Sequence, residues 1–232
     1  MGIVALFVIV ALTVYKLSPY LIKSNTIPST ELSGLRSLPK GFKCHGIDIS
    51  HYQEKIDWEI FKNKADSTIR FVYCKATEGI DYIDPLWKRN RKNLEELEIR
   101  NGAYHFFSPS QSAATQANHF LSNYTSKQND LPPVLDSETE VKDYPSLIRA
   151  MKEWLKIVED RTGKRPIIYT SYHLYKTQFY NSFSGYKFWV ANYNNVPNKF
   201  LPVNIIHWQY SDKGRIPGIR GDVDLNVSKI NF

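Results

Sequence analysis

The stretch Val134-Leu135-Asp136-Ser137-Glu138 lies near the middle of a 232-residue chain. Two apolar residues are followed by two acids separated by a serine, which predicts a short buried strand ending in a polar site. Side chains two residues apart in a strand point to the same side, and their Cα atoms lie about 6.6 Å apart. Asp136 and Glu138 are therefore predicted to project into one space.

Two carboxyl groups held in one space cannot both ionise freely, so the pKa of one of them should rise. An acid with a raised pKa beside an ionised partner is the arrangement that cleavage of a glycosidic bond requires. A solvated turn that contains acids by chance would show the same triplet, and the remaining chain has to decide between these two interpretations.

Strand and helix patterns alternate on both sides of this stretch. The predicted strands cover residues 45–50, 69–76, 102–107, 134–138, 167–171, 187–191, 205–210 and 223–225. A first helix is predicted to start near Trp58, with Asp57 as its N-cap. Further helices are predicted over residues 85–99, 111–126, 145–161 and 173–180. Alternating units imply a parallel sheet, and eight strands favour closure into a barrel. The predicted fold class is therefore α/β, an irregular (β/α) TIM-like barrel of about five strand–helix units followed by three strands with little helix.

The first 43 residues differ in composition from the rest of the chain. Residues 3–15 are all apolar or Thr, and as a helix they span about 20 Å, less than the ~30 Å of a bilayer core. Extension to residue 22 reaches that length but adds a Lys and a Pro. We predict a signal-anchor or transmembrane segment over residues 1–22, a linker over 23–43 and a catalytic barrel domain over 44–232. The barrel would then be anchored outside the cytoplasm, or secreted if the segment is cleaved; a buried core helix is the remaining alternative.

Charge and cysteine content exclude several classes of function. The net charge is +7, but residues 1–43 hold five Lys or Arg and one Glu, so residues 44–232 carry only +3. This weak basic balance argues against a nucleic-acid partner. The histidines are scattered and no His-x-x-x-His or cysteine-pair motif is present, so neither a metal site nor a cofactor is predicted. Cys44 and Cys74 are predicted to be unpaired small core residues.

Acidic and aromatic residues recur at one end of the predicted strands. In a (β/α) barrel the C-terminal ends of the strands converge on one mouth, where active sites lie. Carboxylates there can stabilise an oxocarbenium-like state, and aromatic rings offer faces for sugar rings. The residues at or near these ends are Asp48, Glu78, Tyr104, Asp136, Glu138, Tyr169, Gln209 and Asp224, joined by the aromatic residues Trp189 and Tyr193.

Several segments resemble the motifs of glycoside hydrolase family 25, in order and over residues 45–228. The resemblance implies a lysozyme, an N-acetylmuramidase that cleaves the β-1,4 bond from N-acetylmuramic acid to N-acetylglucosamine in peptidoglycan. It also implies an irregular barrel of five strand–helix units and three further strands. The matching segments are residues 46–50 (GIDIS), 71–79 (FVYCKATEG), 102–107 (GAYHFF), 135–138 (LDSE), 189–193 (WVANY), 208–210 (WQY) and 223–226 (VDLN).

The resemblance implies roles for four acids. Glu138 matches the general acid, and Asp136 would stabilise the developing positive charge or orient the acetamido group of the substrate. Asp48 and Asp224 would complete an acidic floor. Ser137 stands where the family often has an apolar residue; it lies on the opposite face from the two acids, so the chemistry should survive. The predicted substrate-binding residues are Glu78, Tyr104, Tyr169, Trp189, Tyr193 and Gln209.

Two alternative functions remain at this point. A barrel could bind cell-wall glycan without cutting it, or it could cleave another N-acetylhexosamine polymer such as chitin. The predicted partners are peptidoglycan glycan strands and, through the N-terminal segment, a membrane, with the protein acting as a monomer in the cell envelope. The motifs leave open whether cleavage proceeds through direct nucleophilic retention, acetamido participation or inversion.

Overall fold

The computed structural model describes residues 32–65, 67–194 and 202–231. The strands are β1 (Cys44–Ile49), β2 (Ile69–Glu78), β3 (Tyr82–Ile83), β4 (Arg100–Phe106), β5 (Val134–Asp136), β6 (Ile167–Ser171), β7 (Lys187–Ala191), β8 (Ile205–Gly214) and β9 (Val223–Ser228). The helices are α1 (Trp58–Lys64), α2 (Trp87–Glu96), α3 (Ala113–Asn123), α4 (Tyr144–Thr162) and the short α5 (Tyr172–Leu174), which continues as a π-helical segment over Tyr175–Phe179.

Eight of these strands close into a barrel. Hydrogen bonds run in the order β1-β9-β8-β7-β6-β5-β4-β2, and β2 pairs back onto β1, while β3 pairs with the end of β2. Neighbouring strands of the barrel are parallel except that β9 runs antiparallel to both β1 and β8, and the added strand β3 runs antiparallel to β2. Helices follow β1, β2 with β3, β4, β5 and β6, so the predicted barrel of five strand–helix units and three further strands is confirmed.

The long helix α4 shows how local sequence sets these elements. The side chain of Asp143 caps its first turn by accepting a hydrogen bond from the backbone N–H of Ser146, and Pro145 lies within that turn. Gly163 ends the helix with a φ of 68°, a left-handed conformation that glycine adopts without strain. Apolar residues at helical spacing, among them Met151, are buried against the barrel.

The barrel interior below the mouth is packed with aromatic side chains rather than open. Phe71 and Tyr73 of β2 point inward, and two glycines on the neighbouring strands make room for them. A Cβ atom at Gly46 would lie 2.4 Å from the ring of Phe71, and one at Gly102 would lie 2.4 Å from the ring of Tyr73. This packing fills the lower half, so the polar residues at the upper ends of the strands surround the open part.

Three sequence predictions change in detail. The strand β5 ends at Asp136, because the backbone pairing with β4 and β6 ends there, and Glu138 lies in the loop that follows. Asp224 was expected at the C-terminal end of a strand, which is wrong: it is the second residue of β9. It reaches the same mouth because β9 runs antiparallel and places it opposite Asp48. The hairpin strand β3 was not predicted, since both of its residues are exposed and show no apolar period.

The cysteine prediction is confirmed, since Cys44 and Cys74 are both buried and free. The anchor predicted over residues 1–22 lies outside the described residues, as do residues 23–31 of the linker predicted over 23–43. Among the helices in the described ranges, none is both long and apolar enough to cross a membrane.

Candidate active site

A cavity of about 440 Å³ opens at the mouth of the barrel. All ten predicted site residues line it, although they come from eight different strands and the loops after them. These ten are Asp48, Glu78, Tyr104, Asp136, Glu138, Tyr169, Trp189, Tyr193, Gln209 and Asp224. Six further lining residues were missed at the sequence level: Ile49, Ser50, Tyr52, Gln53, Lys75 and Phe106.

Asp136 and Glu138 share this cavity, as their spacing predicted. Asp136 is only 7% exposed, and burial, followed by the charge of Glu138, raises its pKa well above the usual range. Its Oδ1 atom accepts no hydrogen bond from any of the described residues. Glu138 is exposed by surface area, but the cavity walls around it still raise its pKa through desolvation. Ser137 points the other way, since its hydroxyl donates to the sulfur of Met151 on α4 at 3.4 Å.

Asp48 and Asp224 form a second acidic pair on the neighbouring strands β1 and β9. Burial raises the pKa of Asp48 well above its usual value, and the charge of Asp224 adds to this effect. Burial and the charge of Asp212 raise the pKa of Asp224 to about 6, against the opposing effect of its hydrogen bond with Asp48. Two carboxyls this close favour binding one shared proton over double ionisation.

An indole fixes the direction of the hydrogen bonds to Asp48. The Nε1–H group of Trp189 donates to Oδ1 of Asn226 at 2.7 Å, and Nδ2 of Asn226 donates to Oδ2 of Asp48 at 2.7 Å. An indole N–H can only donate, so the amide oxygen of Asn226 must face it and the amide nitrogen must face Asp48. The Asp48 oxygen is therefore held as an acceptor.

A second chain of donors ends on the same oxygen. Nε2 of Gln209 donates to Oδ2 of Asp48 at 2.9 Å. The hydroxyl groups of Tyr169 and Tyr193 both donate to Oε1 of Gln209 at 2.8 Å. An ionised carboxylate can only accept, so the amide nitrogen of Gln209 faces Asp48 and its amide oxygen faces the two phenols. Both hydrogen bonds favour the ionised form of Asp48 and oppose the effect of its burial.

Lys75 is the basic residue of the cavity and was not predicted as part of it. Its ammonium group donates to Oε2 of Glu78 at 2.6 Å and lies 5.0 Å from the ring centre of Phe106. Its charge lowers the pKa of both Asp136 and Glu138, against the effect of burial. Among the described lining residues it is the single Lys or Arg beside five carboxyl side chains.

The aromatic residues of the cavity divide into two kinds. Trp189 is 2% exposed, with its ring stacked on Tyr73 at 5.0 Å and against the edge of Tyr169 at 4.7 Å. Contrary to the expectation from sequence, its faces are covered by protein and are not open to a sugar ring. Tyr193 is 44% exposed and Tyr52 is 78% exposed, so these two residues present accessible ring faces at the rim.

No group of three or more metal-ligating side chains with suitable geometry occurs in the described residues.

A bond between two sugars is cleaved when one carboxyl delivers a proton to the bridging oxygen and a second stabilises the positive charge that develops. The cavity holds both buried and exposed carboxyl groups, and it lies at the mouth where (β/α) barrels have their active sites. The fold and the site together define a glycoside hydrolase.

Within that class, the chain belongs to the glycosyl hydrolases family 25, whose model matches residues 47–219. The protein YegX of Escherichia coli (strain K12) is 42% identical over 193 residues, covering 82% of this chain and 71% of YegX. Lysozyme M1 of Streptomyces globisporus is 36% identical over 200 residues, covering 78% of this chain and 66% of that protein. The solved structure of a family 25 glycosyl hydrolase from Bacillus anthracis matches with a TM-score of 0.75 at 25% identity, covering 86% of this chain and 95% of that one.

Proposed function

We propose that the protein is a muramidase that hydrolyses the β-1,4 bond from N-acetylmuramic acid to N-acetylglucosamine in peptidoglycan. The observation that carries this proposal is the shared cavity of Asp136 and Glu138, two carboxyls of raised pKa that differ in solvent access. The similarity to Lysozyme M1 supports the choice of substrate. A bond of this kind needs both a proton donor and stabilisation of an oxocarbenium-like state.

In this proposal Glu138 is the proton donor. It is the more exposed member of the pair, so it can reach the bridging oxygen of a bound glycan. Its raised pKa keeps the proton available at higher pH than an ordinary glutamate would. As the bond breaks, the proton passes to the leaving oxygen, and the positive charge on the other sugar faces the cavity floor.

Asp136 is the carboxylate that stabilises the developing positive charge. Its unsatisfied oxygen explains why the proton is held by Glu138, and not by Asp136, once substrate is bound. Burial raises the pKa of Asp136 strongly, so without substrate it competes with Glu138 for the proton. The acetamido N–H of a bound sugar could donate to Oδ1 of Asp136, which accepts nothing from the described residues. Such a bond favours ionised Asp136 and leaves the proton on Glu138.

The experiment that tests this function is mass spectrometry of the products released from purified peptidoglycan. A muramidase leaves N-acetylmuramic acid at the new reducing ends. Reducing-end N-acetylglucosamine would contradict the proposed specificity. Binding of the glycan without any cleavage would instead favour a barrel that holds cell-wall glycan and does not cut it.

We further propose that the protein acts as a monomer outside the cytoplasm, at the cell envelope, and that residues 1–22 hold it at a membrane. The support is the apolar sequence of residues 3–15 and a substrate that lies in the cell wall. Protease added to spheroplasts should then digest the barrel domain. A domain protected until the inner membrane is lysed would contradict this location.

A further inference from the structure

A second cavity of about 560 Å³ adjoins the catalytic one. The two cavities share Glu138, Tyr169 and Tyr193, so a ligand can extend from one into the other past the proposed proton donor. The remaining wall comes from residues within 171–177 and 191–194, which follow β6 and β7. A volume of this size accommodates a substituent of several residues or one small ligand.

The two cavities differ in charge. Five carboxyl side chains line the catalytic cavity, and Lys75 within it is already paired with Glu78. In the second cavity the shared Glu138 is joined by two basic residues, His173 and Lys176, and by no further carboxyl from the described residues. An anionic group is therefore repelled by the first cavity and attracted by the far wall of the second.

Lys176 is positioned for such a group. It is exposed, and its ammonium group lies 5.4 Å from the ring centre of Tyr172, which lines the same cavity. Within the described parts of the chain, no carboxylate forms an ion pair with it. On the facing loop, Oδ1 of Asn192 accepts the backbone N–H of Asn194 at 3.0 Å, so the amide nitrogen of Asn192 keeps its capacity to donate.

We propose that this second cavity binds the peptide carried by the muramoyl residues of the glycan, with Lys176 pairing with a peptide carboxylate. The proposal rests on the proposed muramidase function. Each muramoyl residue bears a lactyl group linked to a short peptide with free carboxylates, whereas a polymer of N-acetylglucosamine bears none. A glycan bound with its bridging oxygen at Glu138 brings such a peptide to the junction of the two cavities.

The test compares two soluble tetrasaccharide fragments of peptidoglycan, one with its peptide carboxylates free and one with them converted to amides. The wild-type protein should show a KM roughly twofold to fivefold lower for the free acid, as for one solvent-accessible ion pair. High salt should reduce this preference. Lys176→Gln should abolish it and leave kcat unchanged.

The matched control is Lys88→Gln. Lys88 is an exposed lysine of α2 that lines neither cavity and forms no ion pair with the described residues, so this variant should keep the full preference. An unchanged preference in Lys176→Gln, or equal KM values for the two fragments with the wild-type protein, overturns the proposal. Calorimetry with the same fragments distinguishes the peptide site from the proposed muramidase function. Binding that depends on Lys176 but is followed by no cleavage contradicts the muramidase function. Cleavage without a preference for the free acid contradicts only the peptide site.

Discussion

The two acid pairs of the active site lie on different walls of one cavity, and they differ in how their oxygen atoms are satisfied. Oδ2 of Asp48 accepts hydrogen bonds from two side-chain amides, and an indole fixes the orientation of the Asn226 amide. Oδ1 of Asp136 accepts none from the described residues. An oxygen that already accepts two hydrogen bonds has little capacity left for a donor from the substrate, whereas an unsatisfied oxygen can accept one.

This difference indicates a division of labour within the cavity. The pair of Asp48 and Asp224 is a preorganised source of negative potential, as required for stabilising charge in a transition state. The pair of Asp136 and Glu138 is the part whose protonation responds to the ligand. Substitutions on the two walls should therefore have different effects.

Glu138→Gln should have the largest effect on turnover. The amide keeps the size and hydrogen-bonding capacity of the side chain but cannot supply a proton, so kcat should fall about 10²–10⁴-fold with peptidoglycan fragments. Binding of the fragment, measured by calorimetry, should persist. Glu140→Gln removes an exposed carboxyl two residues further along the same loop and should leave kcat unchanged. Near-normal turnover by Glu138→Gln would assign the donor role to another acid such as Glu78.

Asp136→Asn should reduce kcat about 10²–10³-fold, because a neutral amide stabilises positive charge poorly. It should also change the pH profile. The charge of Glu138 raises the pKa of Asp136, and this coupling is reciprocal, so loss of the Asp136 charge lowers the apparent pKa of Glu138.

The alkaline limb of the kcat profile reports loss of the proton from the donor and should therefore move to lower pH in Asp136→Asn. An alkaline limb that stays in place, or moves to higher pH, would show that the two carboxyls do not interact in the way their shared cavity indicates.

Asn226→Ala should give a smaller loss, about tenfold in kcat/KM, as expected for one charge-assisted hydrogen bond. This hydrogen bond lowers the pKa of Asp48, so its removal raises that pKa further and should move the acid limb of the profile to higher pH. Trp189→Phe is the companion variant, because it keeps an aromatic ring at this buried position and removes the N–H that orients the Asn226 amide together with part of the indole ring. Trp189→Phe should also move the acid limb to higher pH, by less than Asn226→Ala does. A shift of the acid limb to lower pH in Trp189→Phe would exclude the orienting role of the indole.

Asp224→Asn should impair activity least and should stabilise the fold near neutral pH. The native pKa of Asp224, about 6, exceeds that of an unfolded aspartate, so the native state binds more protons and its stability falls as pH rises through this interval. The asparagine variant does not ionise, so it should gain about 1–3 kcal/mol in the free energy of unfolding at pH 7 and little at pH 4. Urea titrations at the two pH values measure this, and an equal gain at both would refute the linkage.

The sequence predicts the overall architecture because apolar periods alternate between those of strands and helices. It also predicts ten of the sixteen lining residues, because active-site side chains lie at one end of the strands in such a barrel. It does not predict the direction of β9, since a strand period is the same whichever way the strand runs. Asp224 was therefore assigned to the wrong end of its strand, although to the correct mouth.

Two other features depend on contacts that one-dimensional patterns do not contain. Lys75 was missed although it continues the inward-facing alternation of Phe71 and Tyr73, a signal available in the strand period itself. The role of Asn226 depends on an indole from β7 and a carboxylate from β1, residues 37 and 178 positions away in the chain. Only the closed barrel brings these three groups together.

The most direct test of the two roles is the kcat of Glu138→Gln and Asp136→Asn with an aryl glycoside whose leaving group needs no protonation. If Glu138 supplies the proton and Asp136 stabilises the charge, the aryl substrate should restore most of the activity of Glu138→Gln relative to the wild-type protein. Asp136→Asn should remain impaired, because the developing positive charge is the same with either leaving group. An equal defect of Glu138→Gln with the aryl glycoside and with peptidoglycan fragments would contradict the assignment of Glu138 as the proton donor.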